Sequence, residues 1–372
     1  MRIVHVIARF NQGGTAGWLT ELIEGQRRDG NEVYLLAGKV EDNEREDIRF
    51  TELGGIRIQG LSRPISLVQD LIAFYTLRKK LISINAEIVN THTAKAGLIG
   101  RLCVLSLSKK NMAIVHTFHG HILYGYFGKL STKIFVELER FLGKVTDVIL
   151  VSGEKVKRDL LSKKIGDDQK FIIVRPGIRP VQMLPKSEVR KKFSIPEDKI
   201  VIGWLGRLTE IKRPDRVIEL AKLLPNYIFL VGGDGELLES LKVKASPNIV
   251  LTGWTTPAEV WSASDMALLT SDNEAQPLSL IEAASAGLPL IGEDVGSVSE
   301  VIQDQLNGYL TNNLESRLWA IQKLATDTGV REGMGKAASQ TAVELFGIEQ
   351  FLNTHMYAYK KALVGRSSGG LQ

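Results

Sequence analysis

Cysteine is almost missing from this chain. Cys103 is the only one in 372 residues, which excludes an internal disulfide and a thiolate metal cluster and makes a reducing cytoplasm the default setting. Long apolar runs are missing too: no stretch approaches the roughly 18 apolar residues of a membrane-spanning helix. The opening MRIVHVIA is too short for a secretory signal and reads as a buried strand. Charge of one sign does not dominate, since 47 Lys and Arg against 42 Asp and Glu leave a formal charge of +5. That mild excess suits an anionic substrate or an anionic membrane surface. The basic residues form no long tract and do not interleave with aromatics, so nucleic acid is not expected as a partner. The histidines make no H-E-x-x-H and have no neighbouring cysteine, so no metal site is expected.

What is present is the composition of a globular protein, 44% hydrophobic and 24% charged, with 35 glycines that suit many tight strand-to-helix turns. The length favours two domains over one core. From Arg2 a short apolar run gives way to a glycine loop and then to the amphipathic WLTELIEGQRR. Short β-rich runs follow at NEVYLLAG, IRIQG, AEIVNTHT, MAIVHTFHG, VTDVILVS and KFIIVRPG, with helical stretches between most of them. Near-continuous apolar strands alternating with helices imply a parallel sheet covered on both faces. The alternation breaks at RPGIRPVQMLPKSEVRKKFSIPEDK, which carries four prolines and no clear period, and restarts at KIVIGWLG. The expected architecture is α/β: two Rossmann-like doubly wound domains, residues 1–178 and 179–347, followed by an amphipathic helix at 348–365. Ligands are expected at the carboxyl ends of the strands, where the two halves face each other.

The stretch TSDNEAQPLSLIEAASAGLP pairs Glu274 with Glu282, and Pro277 is expected at the first helical position. The amides of Leu278, Ser279 and Leu280 should then point out of the helix start and suit an anion. Glu274 falls in the loop ahead of them. Glu282 falls about a turn and a half on, where its oxygens can accept from the two hydroxyls of a ribose. A glutamate for a sugar, amides for phosphate and a glutamate for ribose spell a nucleotide sugar, although two glutamates eight apart also occur by chance in many helices.

GRLTEIK, directly after KIVIGWL, sets Arg207 and Lys212 across a tight loop; it reads either as a grip on a diphosphate or as a solvated basic loop. Gly13 and Gly14 in NQGGTAG allow close approach of a ligand to the backbone. That loop is not a G-x-G-x-x-G, and no acidic residue closes the next strand, so a dinucleotide is not expected. In IVHTFHGH, His116 reads as a core residue. His119, beside Gly120, reads as a cleft imidazole or as a structural cap, and His92 could be either.

Taken together, GRLTEIK, LVGGDGE, NEAQPLSLIEAASAGLP, GSVSEVI, THTAKAGLIGR and HTFHGH resemble the GT-B fold glycosyltransferases of family 4, over nearly the whole chain. The resemblance implies two Rossmann-like domains, with the last helix returning to the first. It also implies metal-independent transfer from a nucleotide-activated sugar, with retention at the anomeric carbon and no cofactor. Carried over by position, Arg207 and Lys212 hold the diphosphate and Glu282 the ribose. Glu274, Ala275, Gln276, Pro277, Leu278 and Ser279 surround the donor sugar, His119 contacts it, and Gly13 and Gly14 shape the cleft beside it. One departure stands out: the family usually has glycine directly after the first glutamate, and here that residue is Ala275, which bears on donor choice.

The expected activity is hexosyl transfer, with a UDP-sugar as the family-weighted donor and a glycan, lipid-linked or small-molecule acceptor. A nucleotide-sugar epimerase or hydrolase of the same fold, or a non-catalytic nucleotide-sugar binder, are the alternatives. The basic, aromatic start of YGYFGKLSTKIFVELERFLGKV and its amphipathic continuation suggest peripheral contact with an anionic membrane through Lys129 and Lys133, or a helix that merely packs on its own domain.

Overall fold

The computed structural model describes residues 1–42, 44–107, 112–120 and 129–368. The chain divides into two compact units, Met1–Gly177 with Ile348–Gln372, and Ile178–Gly347.

The first unit is built on seven parallel strands: β1 (Arg2–Ile7), β2 (Glu32–Ala37), β3 (Ile56–Arg57), β4 (Ile88–His92), β5 (Ala113–Phe118), β6 (Val148–Val151) and β7 (Phe171–Ile173). Their order is β3-β2-β1-β4-β5-β6-β7. The chain runs outward from β1 to β3, then returns to β1's other side and runs outward again. The direction of travel therefore switches between β1 and β4, where a doubly wound sheet leaves a crevice at its carboxyl edge.

Helices α1 (Gly14–Arg28), α2 (Arg49–Glu52), α3 (Leu67–Ile84), α4 (Ala94–Leu107), α5 (Lys129–Val145) and α6 (Glu154–Ser162) connect the strands. Ile3, Ile7, Val115 and Leu150 pack with Trp18, Leu19 and Leu22 of α1 on one face of the sheet. Val4, Val6, Val89 and Ile114 pack with Ala73, Leu77, Ile99 and Val104 of α3 and α4 on the other. Burial on both faces is why these strands read as continuous apolar runs rather than as alternating ones. Each such aliphatic side chain contributes roughly 1.5–3 kcal/mol when fully buried.

The second unit repeats the plan with six strands: β8 (Val201–Leu205), β9 (Ile228–Gly232), β10 (Ile249–Gly253), β11 (Met266–Leu269), β12 (Leu290–Glu293) and β13 (Gly308–Thr311). The order β10-β9-β8-β11-β12-β13 puts its switch between β8 and β11. Its helices are α7 (Lys186–Lys192), α8 (Pro214–Leu223), α9 (Leu238–Lys244), α10 (Pro257–Ala263), α11 (Leu278–Ser285), α12 (Leu314–Thr326) and α13 (Thr328–Phe346). The proline-rich stretch expected to lack a period does hold α7, because Val189 and Arg190 are buried and Arg190 donates to Ala263 O, Glu197 O and Lys199 O. The last helix, α14 (Ile348–Ser368), belongs to the first unit, where Phe351, Leu352, Ala358 and Tyr359 join the core beneath α1.

Candidate functional site

In the second unit the loops after β8 and β11 flank the switch point, and side chains stitch them together. Trp204 Nε1, at the end of β8, donates to Thr270 Oγ1 at 3.0 Å, and that hydroxyl donates to the Lys212 carbonyl at 3.0 Å. The Asp272 amide donates to Ile211 O at 2.9 Å. Arg216 donates to Thr270 O and pairs with Asp272, as does Arg213. Residues 54 or more apart in sequence are thereby held as one surface.

On that surface Lys212 Nζ donates to Glu274 Oε1 at 2.5 Å, and Ser271 Oγ donates to the same oxygen at 2.7 Å. Glu274 is only 9% exposed. Its carbonyl accepts from the Ser297 amide at 3.0 Å. A side chain on neighbouring Gly296 (φ +53) would place its Cβ 1.7 Å from that same carbonyl, so the G-S-V-S-E segment presses directly against the Glu274 backbone and needs its glycine there. Sequence reading assigned Lys212 and Glu274 to different parts of a donor; the fold joins them as one ion pair. Ser271, which completes it, escaped notice because a serine three residues ahead of a glutamate has no distinguishing pattern.

Arg207 follows Gly206 at the end of β8. It is exposed, and its guanidinium has no partner among the described residues. Pro277 departs from expectation: with φ −70 and ψ 108 it is the residue ahead of α11, which starts at Leu278. The reason lies in ψ, which is extended rather than helical. The Leu280 and Ile281 amides both return to Pro277 O, so Leu280 is not one of the open amides; those are Leu278 and Ser279. Ala275 is absent from the residues with positive φ, so its methyl group sits on ordinary backbone. Gln276 is buried, with Nε2 3.3 Å from Glu300 Oε2 and Oε1 unpartnered. Glu282 lies on α11, and burial pushes its carboxyl up to about 7; no hydrogen bond or ion pair reaches that carboxyl among the described residues.

The first unit has a different character. Gly13 precedes α1 with φ 151 and Gly14 is the first helical residue; such a φ is natural only for glycine. His119, just past β5, is half-buried, with Nε2 2.9 Å from His92 Nδ1. His92 Nε2 lies 3.0 Å from His5 Nδ1, and His5 Nε2 lies 2.9 Å from Gln26 Oε1. Trp18 packs edge-on against His92, His119, Phe351 and His355. Burial holds His119 and His5 down at about 4, and His92 well below the usual histidine range, so all three are neutral. His116 is buried on the other face, with Nδ1 2.8 Å from Thr91 Oγ1. His5 and Gln26 were not singled out from the sequence, and no local pattern marks them. His121 lies outside the described residues, as does Tyr124–Gly128 at the start of the stretch expected to meet a membrane.

Among the described residues no group of three or more His, Cys, Asp or Glu is placed to hold a metal ion. Among the same residues no helix is long and apolar enough to cross a membrane.

Two tandem doubly wound α/β units, with parallel sheets of seven and six strands, define a GT-B architecture. The model of the glycosyl transferases group 1 matches residues 185–341, and that of glycosyltransferase family 4 matches residues 12–182. The chain belongs to the GT-B glycosyltransferases of family 4, and it is an enzyme that transfers sugar from a nucleotide-sugar donor.

It is 26% identical over 347 residues to the UDP-Gal:alpha-D-GlcNAc-diphosphoundecaprenol alpha-1,3-galactosyltransferase of Escherichia coli, with 88% of each chain covered. It is 26% identical over 364 residues to the O-antigen biosynthesis glycosyltransferase WbnH of Escherichia coli, covering 97% of this chain and 98% of that one. Among solved structures, Anabaena Alr3699/HepE in complex with UDP-glucose superposes with a TM-score of 0.80 at 16% identity, covering 97% of this chain and 99% of the other. That likeness speaks to the fold.

Proposed function

We propose that this enzyme is a retaining hexosyltransferase that uses a UDP-sugar, requires neither metal nor other cofactor, and extends a lipid-linked or other glycan acceptor in cell-surface polysaccharide or glycolipid synthesis. The observation that carries the reading is the Lys212–Glu274 pair, flanked by exposed Arg207 and the open start of α11. The donor and acceptor classes draw support from the relatives, whose names specify UDP-Gal, a diphosphoundecaprenol acceptor and O-antigen biosynthesis.

In this reading the diphosphate lies against Arg207, Lys212 and the Leu278 and Ser279 amides, while Glu282 accepts from the ribose diol. Glu274, Ala275, Gln276 and Pro277 border the sugar, His119 contacts it, and the Gly13–Gly14 turn shapes the adjoining surface. As the bond from the anomeric carbon to the phosphate oxygen stretches, negative charge gathers on the diphosphate. Preorganised cations and amides stabilise that charge, each well-placed donor contributing about 3–4 kcal/mol. The acceptor hydroxyl bonds to the anomeric carbon on the face the phosphate leaves, and its proton passes to the departing phosphate oxygen. Lys212 enters this step already paired, so the arriving diphosphate shares it with Glu274.

The test is incubation with labelled nucleotide sugars and a membrane extract, with and without EDTA. Label moving into lipid or glycan, unchanged by EDTA and retaining its anomeric configuration by NMR, is the expected result. A changed free sugar would instead indicate an epimerase or hydrolase. Binding without turnover would indicate a nucleotide-sugar binding protein, and loss with EDTA would remove metal independence.

Residence on the cytoplasmic face of a membrane is part of the proposal, and the start of α3 offers a surface for it in addition to the one expected on α5, where Ile134 and Phe141 are exposed. Ile65, Leu67, Val68, Leu71 and Tyr75 are all exposed, the first two by 87% and 86%. Arg63 and Lys79 flank them, while the one acid of the segment, Asp70, is paired with Lys95. An apolar stripe bordered by cations that have no partner among the described residues fits an anionic bilayer. On α5, Glu139 is buried against Arg101 and Lys133 shares its exposed side with Glu137. Leu67→Glu with Leu71→Glu should abolish pelleting with phosphatidylglycerol vesicles, and Lys133→Glu should leave it intact; the reverse pattern would assign the contact to α5.

A further inference from the structure

Three histidines distant in sequence meet in the first unit because of strand register. His5 of β1 is opposite Asn90 of β4, and His92 of β4 is opposite Thr117 of β5. Side chains of paired residues share a face, and so do residues two apart on one strand. His5, Asn90, His92, Thr117 and the position of His119 therefore share one face, and the imidazoles climb it diagonally, two residues per strand. The result is a continuous line from Gln26 on α1 through His5 and His92 to His119, with successive gaps of 2.9, 3.0 and 2.9 Å.

A neutral imidazole has one N–H and one lone pair, so a line of three has only two self-consistent arrangements. The end group decides between them. Gln26 presents Oε1 to His5, and an amide oxygen only accepts. His5 therefore carries its proton on Nε2 and accepts at Nδ1 from His92 Nε2–H. His92 in turn accepts at Nδ1 from His119 Nε2–H. His119 is left with a bare Nδ1, which makes no hydrogen bond among the described residues and is not among the buried unpartnered atoms. Gln26 Nε2 has no well-formed bond of its own. Beside it the Tyr359 hydroxyl accepts from Asn90 Nδ2 at 2.8 Å while Asn90 Oδ1 accepts from Thr117.

We propose that Gln26, His5 and His92 are positioning residues that lock His119 as its Nε2–H tautomer and make its Nδ1 a fixed hydrogen-bond acceptor for a hydroxyl of the donor sugar. The second half rests on the reading that His119 meets the donor. The chemical class follows: the sugar carries a free hydroxyl at the contacted carbon, and a deoxy or O-acylated analogue loses the contact. The groups facing the line are His355 on α14, Arg27 on α1, and His116, with Arg101 beyond it, from the other face. All are neutral or cationic, so none favours a proton on the imidazoles, in agreement with the depressed values of His5, His92 and His119.

The experiment is long-range proton–nitrogen NMR on the full chain labelled with nitrogen-15 histidine, His119 assigned by His119→Asn. The expected spectrum shows His119 with protonated Nε2 and bare Nδ1; a protonated Nδ1 overturns the proposal. Gln26→Leu removes the end acceptor and Gln26→Glu restores one. The affinity for UDP-glucose relative to UDP should fall three- to tenfold in Gln26→Leu, as for one neutral hydrogen bond, and recover in Gln26→Glu, with the affinity for UDP itself unchanged. Equal loss for UDP and UDP-glucose in both variants would mean a merely structural role and overturn the positioning. If the tautomer is as expected but His119→Asn leaves the UDP-glucose to UDP ratio intact, the sugar contact in the proposed function falls while the locked tautomer stands.

Discussion

The two units share a topology but handle polarity in opposite ways at corresponding places. At the β1/β4 switch the first unit buries a file of neutral imidazoles, whose cost of burial is small because each ring nitrogen facing inward is paired. At the β8/β11 switch the second unit gathers full charges, and it leaves them partly open to solvent: Arg207 is exposed and Lys212 half-buried, with only Glu274 taken inside. A neutral chain fixes direction, donor or acceptor, at a point. A charged cluster fixes potential over a volume, and it must stay near water to remain charged without a large desolvation penalty. On the proposed function, the first edge recognises a hydroxyl and the second holds a diphosphate.

The largest effects should come from deleting charge in the second unit. Arg207→Ala and Lys212→Ala should each lower turnover about 10²–10³-fold, the size associated with a preorganised transition-state donor, measured by steady-state sugar transfer. Stability should separate them. Arg207 is exposed and unpartnered, so its removal should change unfolding free energy by less than about 0.5 kcal/mol in urea titration. Lys212→Ala leaves the buried Glu274 carboxylate with Ser271 alone, which should cost about 1–3 kcal/mol. Adding Glu274→Gln should recover that stability and leave turnover low. Equal stability of the two single variants would erase the distinction between an open cation and a paired one.

A smaller effect tests Glu282, a carboxyl of the second unit whose shift burial alone sets. The Glu282 carboxyl is raised from 4.5 to about 7 by burial. Below pH 4.5 it is protonated in folded and unfolded chains alike. Between about 4.5 and 7 the unfolded chain releases the proton and the folded chain keeps it, so the group's contribution to stability falls as pH rises across that window and is level above 7. The decline should amount to about 3 kcal/mol over the whole window, and Glu282→Gln should remove it in unfolding titrations at pH 5, 6, 7 and 8. If Glu282 receives the ribose diol, UDP binding should strengthen with rising pH through 7 more in the parent than in Glu282→Gln. Identical pH profiles would detach Glu282 from the nucleotide.

Much of this was legible in the sequence because it is written locally. Every β-rich run named in the first half became a strand, since burial on both faces demands unbroken apolar runs. Glu274, Arg207 and Lys212 stood out by following such runs directly. What was not legible depends on register between distant strands: nothing around His5 signals that it faces His92, a residue 87 positions on, until β1 and β4 are laid side by side. The Lys212–Glu274 pair is hidden for the same reason, its partners being 62 residues apart on loops that meet only because β8 and β11 are neighbours. Helices α12 and α13 are weakly marked in the sequence because their buried residues, such as Ala320, Ile321 and Leu324 on α12 and Met334, Ala338 and Ala342 on α13, are mixed with small and polar ones. Pro277 was misplaced by one residue because a proline suits both the first helical turn and the position ahead of it.

The smallest predicted effect concerns Ala275, where the family usually has glycine. A glycine is required only where the backbone takes a positive φ or where a Cβ would collide. Ala275 is not among the positive-φ residues, in contrast to Gly296, which presses on the carbonyl of the adjacent Glu274. Ala275→Gly should therefore relieve no strain. It should lower stability by about 0.4–1 kcal/mol through the added freedom of the unfolded chain. Its effect on donor choice is then purely one of the space a methyl group fills, and one methylene-sized change discriminates by about 1–3 kcal/mol at most. Competition between UDP-glucose, UDP-galactose and UDP-N-acetylglucosamine measures this. A gain in the bulkier donor's relative rate in Ala275→Gly would make the methyl a size filter. A variant that became more stable would show instead that this backbone is strained, and that alanine is tolerated there only because the pair beside it, Lys212 with Glu274, holds the loop in place.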